Sequence, residues 1–459
     1  LSLFKLKRRE HDLDMCSGPV FGKVLLFVFP LILSSWLQLL YNAADLIVVG
    51  RCAGKSALAA VGATTSLNAL MVHTFVSVAI GASVVVARYV GAKDSPGMSK
   101  ATHTSVLFGV FAGIGIGALA FFCARIFLSA MDTPEDIIDK SVLYLRIIAL
   151  GMPFVLLYNF AAAVLRAVGD TKKPMYILAV SGLLNVGLNL FFVLVVGLDV
   201  AGVAIATAAS QAMSSVLAVI ALMRRSDACR LELQKLRIHK AQLIIILKTG
   251  IPAGIQAILF NISNVLIQST VNSFGSTVVA GNTAAMNIET FMYTTSNSMM
   301  QTSVTFCGQN VGARKYSRLN MILRTCALTA TGFAVVIGGI ILLLRYPLLS
   351  LYNADRAVQE IGVIRFFMII PGYFCCSVME TIVGGLRSIG RSISAMMITV
   401  IGVCGMRLIV IFIVFPLIPT LQMLFVSYPV SWLLTGIAQF IAYSICHKKL
   451  PPDGVELKM

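Results

Sequence analysis

Apolar runs of roughly twenty residues recur a dozen times along this chain, and that recurrence constrains the fold more than any single motif. A bilayer-spanning helix needs about 20 mostly apolar residues in succession. The runs lie near 24–49, 57–87, 101–123, 137–163, 175–196, 201–223, 242–271, 278–306, 320–344, 358–384, 393–417 and 420–446. They predict an all-α polytopic membrane protein of twelve transmembrane helices. Composition agrees: 58% of the 459 residues are hydrophobic and only 12% are charged, against the roughly 25% charge of soluble domains.

The charge balance, 36 Lys and Arg against 19 acids, gives +17. In a soluble chain this excess points to nucleic acid. Here the cations sit in short clusters between apolar runs, so the expected partner is the lipid bilayer and no nucleic acid. Twenty-seven of the 36 fall in segments on the side of the two termini, eight (Arg365 among them) on the other side and its flanking helix ends, and Arg407 alone lies in the middle of a span. By the positive-inside rule both termini are expected in the cytoplasm, with the chain in the plasma membrane. The N-terminal apolar run continues as a full span, so no cleavable signal peptide is read there. The ten cysteines include no C-x-x-C spacing and read as small buried apolar side chains. No phosphate-binding loop, catalytic constellation, metal cluster or cofactor motif is apparent, and a monomer is expected.

An internal repeat organises the runs. Val90-Gly91-Ala92-Lys93 recurs as Val311-Gly312-Ala313-Arg314, Leu128-Ser129 as Leu349-Ser350, and Leu165, Arg166 and Gly169 as Leu386, Arg387 and Gly390, each 221 residues apart. Pro30 and Pro252 are offset by 222. The chain therefore reads as two parallel six-helix lobes around a central cleft: residues 24–223 and 242–446, a cytoplasmic linker at 224–241, and cytoplasmic end segments at 1–23 and 447–459. Two similar lobes suit a carrier that rocks about a central cavity.

Pro30, Tyr41, Asn42, Asp45, Val49, Gly50, the run Ala57-Leu58-Ala59-Ala60-Val61-Gly62 and Val90-Gly91-Ala92-Lys93 resemble the multidrug and toxic compound extrusion (MATE) family of secondary transporters. So do Leu165-Arg166-Ala167-Val168-Gly169-Asp170-Thr171-Lys172-Lys173-Pro174, Asn185, Asn189, Gly197, Gly202 and Ala206-Thr207. The resemblance covers essentially the whole chain. It implies an antiporter that expels small organic, often cationic, compounds in exchange for sodium ions or protons.

Ionisable groups at span depth are costly and mark ion paths or buried pairs. Asp45, in the first helix beyond the kink expected at Pro30, has Asn185 and Asn189 for company on one face of the fifth helix, and Thr207 in the sixth. These oxygens suit a sodium site, and the acid alone suits a proton carrier. The alternative is an interfacial acid paired with Arg51 or Lys55. The resemblance assigns the first-helix acid and polar residues of helices four to six to a cation site; where many MATE proteins carry Asp, this chain has Asn189, so a two-carboxylate relay is not expected. In the second lobe, Glu380 corresponds to Asn159 and Glu289 to Asn68 by the 221-residue offset. The resemblance makes Glu380 and Asn159 further coupling candidates, although an ion pair of Glu380 or Glu289 with Arg407 is the competing reading. Tyr41, Glu289, Met286, Met292 and Tyr293 are the candidate cleft lining, methionine and aromatic surface being adaptable to varied ligands; such a stripe also fits lipid or a neighbouring helix. With Asp45, Glu289 and Glu380 at depth, the cleft is expected to be locally acidic. Competing functions are a lipid-linked oligosaccharide flippase of the same superfamily and, in another class, a membrane receptor.

Overall fold

The computed structural model describes residues 13–50 and 54–457, apart from the side chains of Lys55 and Leu58. Twelve long helices follow in order: α1 Phe21–Val48, α2 Gly54–Ala92, α3 Ser95–Ala130, α4 Glu135–Ala167, α5 Lys172–Val195, α6 Val200–Met223, α7 Lys240–Asn272, α8 Ser276–Gly312, α9 Leu319–Leu343, α10 Arg356–Ser388, α11 Ser392–Leu417 and α12 Leu421–Lys448. Among the described residues there is no strand. Among the described residues, eleven helices are long and apolar enough to cross a bilayer. The remaining one, α8, spans 37 residues but is rich in Ser, Thr, Asn and Gln. Such a helix is costly beside lipid, and here Ser296, Ser298, Thr302, Ser303 and Asn310 are buried among neighbouring helices.

The helices outrun the apolar runs that predict them. α2 begins at Gly54 and ends at Ala92, because the backbone ladder is satisfied within the helix whether or not lipid surrounds it. α5 ends in a π-helical segment, Phe191–Val195, and α11 contains two, Val400–Gly405 and Val410–Val414. Hydropathy carries no signal for this widened turn.

The repeat is visible in the backbone. Lys93 and Arg314, 221 residues apart, both adopt positive φ (55° and 58°), and so do Gly169 and Gly390 (100° and 85°). Each pair closes the same helix-to-helix turn in its lobe, a left-handed conformation that glycine adopts at least cost.

Both ends of the described chain lie on one side of the bundle, at the corner joining α8 to α9. Asn310 donates to Met15 O (2.9 Å), and Ser317 N donates to Asp453 Oδ1 (3.0 Å). On this terminal face the two lobes are clasped together. Arg88 of α2 donates to Ser388 O through Nε (3.0 Å) and Nη2 (2.6 Å), while Gln309 of α8 donates to Ala167 O (2.8 Å). Donors 88 and 309, like acceptors 167 and 388, are repeat equivalents, so the clasp is two-fold. Gly91 and Gly312 let the helices meet: a Cβ at either would lie 1.8 or 1.9 Å from Gln309 O or Arg88 O.

α1 straddles the lobes. Its first half (Val24, Phe27, Leu31) shares a core with Phe306, Ile322 and Val383 of the second lobe, and Trp36 Nε1 donates to Phe291 O (3.2 Å). Its second half packs on α5, where the Tyr41 ring fills the space left by Gly182.

Candidate functional site

Three helices of the first lobe converge on Asp45. Asn189 Nδ2, on α5, donates to Asp45 Oδ1 at 2.5 Å and lies 3.4 Å from Asn185 Oδ1 one turn earlier; Thr207 Oγ1, on α6, donates to Asp45 Oδ2 at 3.5 Å. Asn185 and Asn189 are buried and Asp45 is half-buried. Asn189 Oδ1 is buried without a hydrogen-bond partner. An orphaned amide oxygen beside a carboxylate and a hydroxyl is a donor set for a hard cation. The alternative partner Arg51 lies outside the described residues, as does the side chain of Lys55. Among described residues Asp45 forms no ion pair.

The structure does not join Asn159 to this cluster: its amide donates to Val155 O of its own helix (2.8 Å). Tyr41 joins α1 to α5, its hydroxyl donating to Ala179 O (3.2 Å).

The second lobe corrects several expectations. Glu289 is not a cleft acid. It is 4% exposed and held by both carboxylate oxygens: Arg365 Nε lies 3.0 Å from Oε1 and Nη2 lies 2.7 Å from Oε2. Arg365 Nη1 donates onward to Asn282 Oδ1 (2.8 Å), whose amide donates to Gln268 Oε1 (2.9 Å). Met292 is likewise core rather than cleft, 2% exposed among Ala334, Ile370 and Tyr373. Met286 is exposed and Tyr293 is half-buried, its ring stacked on Phe260 at 6.1 Å.

Arg407 pairs with neither acid. Its Nη1 donates to Asn264 Oδ1 at 2.7 Å, and its Cζ lies 4.3 Å from the Tyr428 ring centroid and 4.8 Å from that of Phe260. Glu380 is buried and, among described residues, makes no hydrogen bond or ion pair. Arg387 follows seven residues further along the same face of α10. Arg387 is itself buried, donating to Gln256 Oε1 at 2.9 Å. The expectation of a locally acidic interior therefore fails in this lobe: three buried guanidiniums (Arg365, Arg387, Arg407) stand against two acids.

Arg88, Gln309, Arg365 and Arg387 are structural residues that the sequence reading missed or misplaced. Arg88 and Arg387 read as loop anchors because they end apolar runs, and Arg365 as a helix-end cation. The one available signal was the repeat offset, which pairs position 88 with 309 and 167 with 388.

Twelve helices in two clasped lobes, with polar clusters buried inside each, define a two-lobed multi-pass membrane transporter. The chain belongs to the MatE family, whose profile matches residues 30–191 and again 252–413, one match per lobe and each beginning at the helix-interior proline. It is 26% identical to the probable multidrug resistance protein YoeA of Bacillus subtilis, over 86% of this chain and 87% of that one. It is 24% identical to the probable multidrug resistance protein NorM of Thermotoga maritima, over 82% of each. A structure described as the outward-facing conformation of a multidrug resistance MATE family transporter superposes with a TM-score of 0.88 at 18% identity, covering 97% of this chain and 99% of that one. The fold is thus that of MATE transporters, as the sequence motifs imply.

Proposed function

We propose that the protein is a secondary active antiporter that exports small organic compounds, drugs among them, in exchange for a cation bound at Asp45. The observation that carries this reading is the convergence of Asp45, Asn185, Asn189 and Thr207 from three helices around an unpartnered amide oxygen. A sodium ion bound there gains a carboxylate and neutral oxygens; a proton gains the carboxylate. Cation binding cancels the Asp45 charge and thereby changes what holds α1 to α5 and α6. Because α1 also packs on α8 of the other lobe, that change reaches the lobe interface, as alternating access requires. The exporter acts as a monomer in the plasma membrane, with the terminal face in the cytoplasm. Glu380 is a secondary coupling candidate, since it is buried without a hydrogen-bonded partner.

The test is dye or drug efflux from vesicles under imposed sodium or proton gradients. One of the two gradients drives export, and Asp45→Asn abolishes the dependence. Export indifferent to both gradients and to Asp45→Asn overturns the reading. A second reading, flipping of a lipid-linked oligosaccharide, draws support from Arg407, buried in the second lobe without an ion-pair partner among described residues, whose guanidinium suits a phosphate headgroup. Headgroup translocation in proteoliposomes separates the two.

A further inference from the structure

The second lobe carries, on the helices equivalent to those of the Asp45 cluster, a side-chain cluster of opposite charge. Thr207 on α6 has its counterpart 221 residues on in Tyr428 on α12. α1 and α5, which supply Asp45, Asn185 and Asn189, correspond to α7 and α11, which supply Asn264 and Arg407. Asp45 therefore stands in one lobe and Arg407 in the other, each held by an asparagine amide and neighboured by the equivalent position of the sixth helix.

Arg407 is under-satisfied. It is 1% exposed, yet of its three nitrogens only Nη1 is hydrogen-bonded, to Asn264, and Nε is buried without a partner. It joins no ion pair with any described carboxylate. Neither buried acid of this lobe pairs with it: Glu289 is held by Arg365, and Glu380 joins no ion pair among described residues. A buried guanidinium without a counter-ion is costly. The rings of Phe260 and Tyr428 offset part of that cost through their π faces, but leave in-plane N–H donors unfilled. Those donors form the planar fork that a carboxylate fills with two parallel hydrogen bonds.

The surroundings supply the rest of a binding site. Phe260 also stacks on Tyr293, with planes inclined by 17°. Both rings are half-buried, and they stand on α7 and α8, the helices of this lobe that pack against α2 of the other. The α11 backbone around Arg407 is a four-residue α-helical stretch, Met406–Ile409, between two π-helical segments, an irregularity that recurs at functional sites.

We propose that the Arg407 pocket is a binding site for the carboxylate of an aromatic organic acid, with the aryl group on the Phe260–Tyr293 stack. The inference rests on the reading of the chain as an organic-compound carrier, but not on cation coupling. It narrows the cargo of this lobe to compounds bearing an acidic group.

The experiment is equilibrium binding of two matched fluorescent probes, pyrene butyrate and a pyrene-butyl trimethylammonium, to the full chain in nanodiscs without any gradient. Arg407→Gln is expected to weaken pyrene butyrate about tenfold or more and to leave the ammonium probe unchanged, Arg407→Lys to retain part of the affinity, and Asp45→Asn to leave pyrene butyrate binding intact. In the unmutated chain, benzoate competes with pyrene butyrate and benzyltrimethylammonium does not, a comparison that holds even if Arg407→Gln fails to fold. Unchanged pyrene butyrate binding in a folded Arg407→Gln protein, equal loss of both probes, failure of benzoate to compete, or displacement by chloride alone each overturns the proposal. Loss of gradient-driven export with this binding pattern preserved counts against the coupling mechanism only.

Discussion

Arg365 and Glu289 lie 76 residues apart in sequence and 2.7 Å apart in space, both nearly inaccessible to solvent. Removing one partner leaves an uncompensated buried charge, whereas removing both leaves neutral groups that repack. Arg365→Ala is therefore expected to cost about 3–5 kcal/mol of stability, and a protein carrying Arg365→Met with Glu289→Gln to recover most of it. Thermal unfolding in detergent checks this; a single variant that melts no lower than its double would sink the account. This pair also shows what sequence reading reaches at this scale. Asp45, Asn185, Asn189 and Thr207 were legible together because a four-residue spacing puts two amides on one helix face and family motifs mark the rest. Glu289–Arg365 was not. Nothing in local spacing says that a cation near the start of one helix turns inward to meet an acid two helices away, and hydropathy counts it as an interfacial residue.

At the scale of helices, all twelve were legible from the chain's runs, eleven because a bilayer demands much the same length and apolarity of each, and α8 in spite of its polar residues. Their polar extensions were not, and the extensions of α2 and α8 form the clasp of the terminal face. There a glycine on each helix faces a carbonyl of the other at a separation that admits no side chain. Gly91→Ala must push α8 away, since the obstacle is Gln309 backbone rather than a flexible side chain, and the bonds from Arg88 to Ser388 O and from Gln309 to Ala167 O lengthen together. Hydrogen–deuterium exchange is expected to rise around 166–170, 309–318 and 386–391 in Gly91→Ala, with the far half of each lobe unaffected. Exchange that stays at the unmutated level in all three segments refutes the clasp. The two-fold design further predicts that Gly312→Ala raises exchange in the same segments, because each glycine seats the other helix's donor residue.

Across the whole molecule, the +17 charge resolves into two unlike faces. On the face opposite the termini, three described cations are matched: Arg125 pairs with Asp139 (3.2 Å), Lys140 with Asp199 (2.6 Å) and Arg356 with Glu360 (3.0 Å). Arg345 lies over the Tyr346 ring at 5.0 Å. Arg365, which hydropathy places there too, is consumed in the core by Glu289. Of the cations on the terminal face, Lys93, Lys100, Arg224, Arg230, Lys240 and Arg324 join no ion pair among described residues. Subtracting the buried and paired groups thus sharpens the asymmetry that simple counting shows. Translocating the terminal face would carry these Lys and Arg across the bilayer, and Lys and Arg in short loops set orientation; the terminal face should therefore remain on the cytoplasmic side. An epitope placed after the C-terminal tail is expected to be stained only in permeabilised cells, and one placed in the loop at 353–355, between α9 and α10, in intact cells. The reverse pattern would show that orientation is set by something other than these loops. Neutralising the exposed lysines Lys93 and Lys100 together with Arg224 and Arg230 should then produce a mixed population, in which intact cells stain for the C-terminal epitope on the inverted chains and for the 353–355 epitope on the rest.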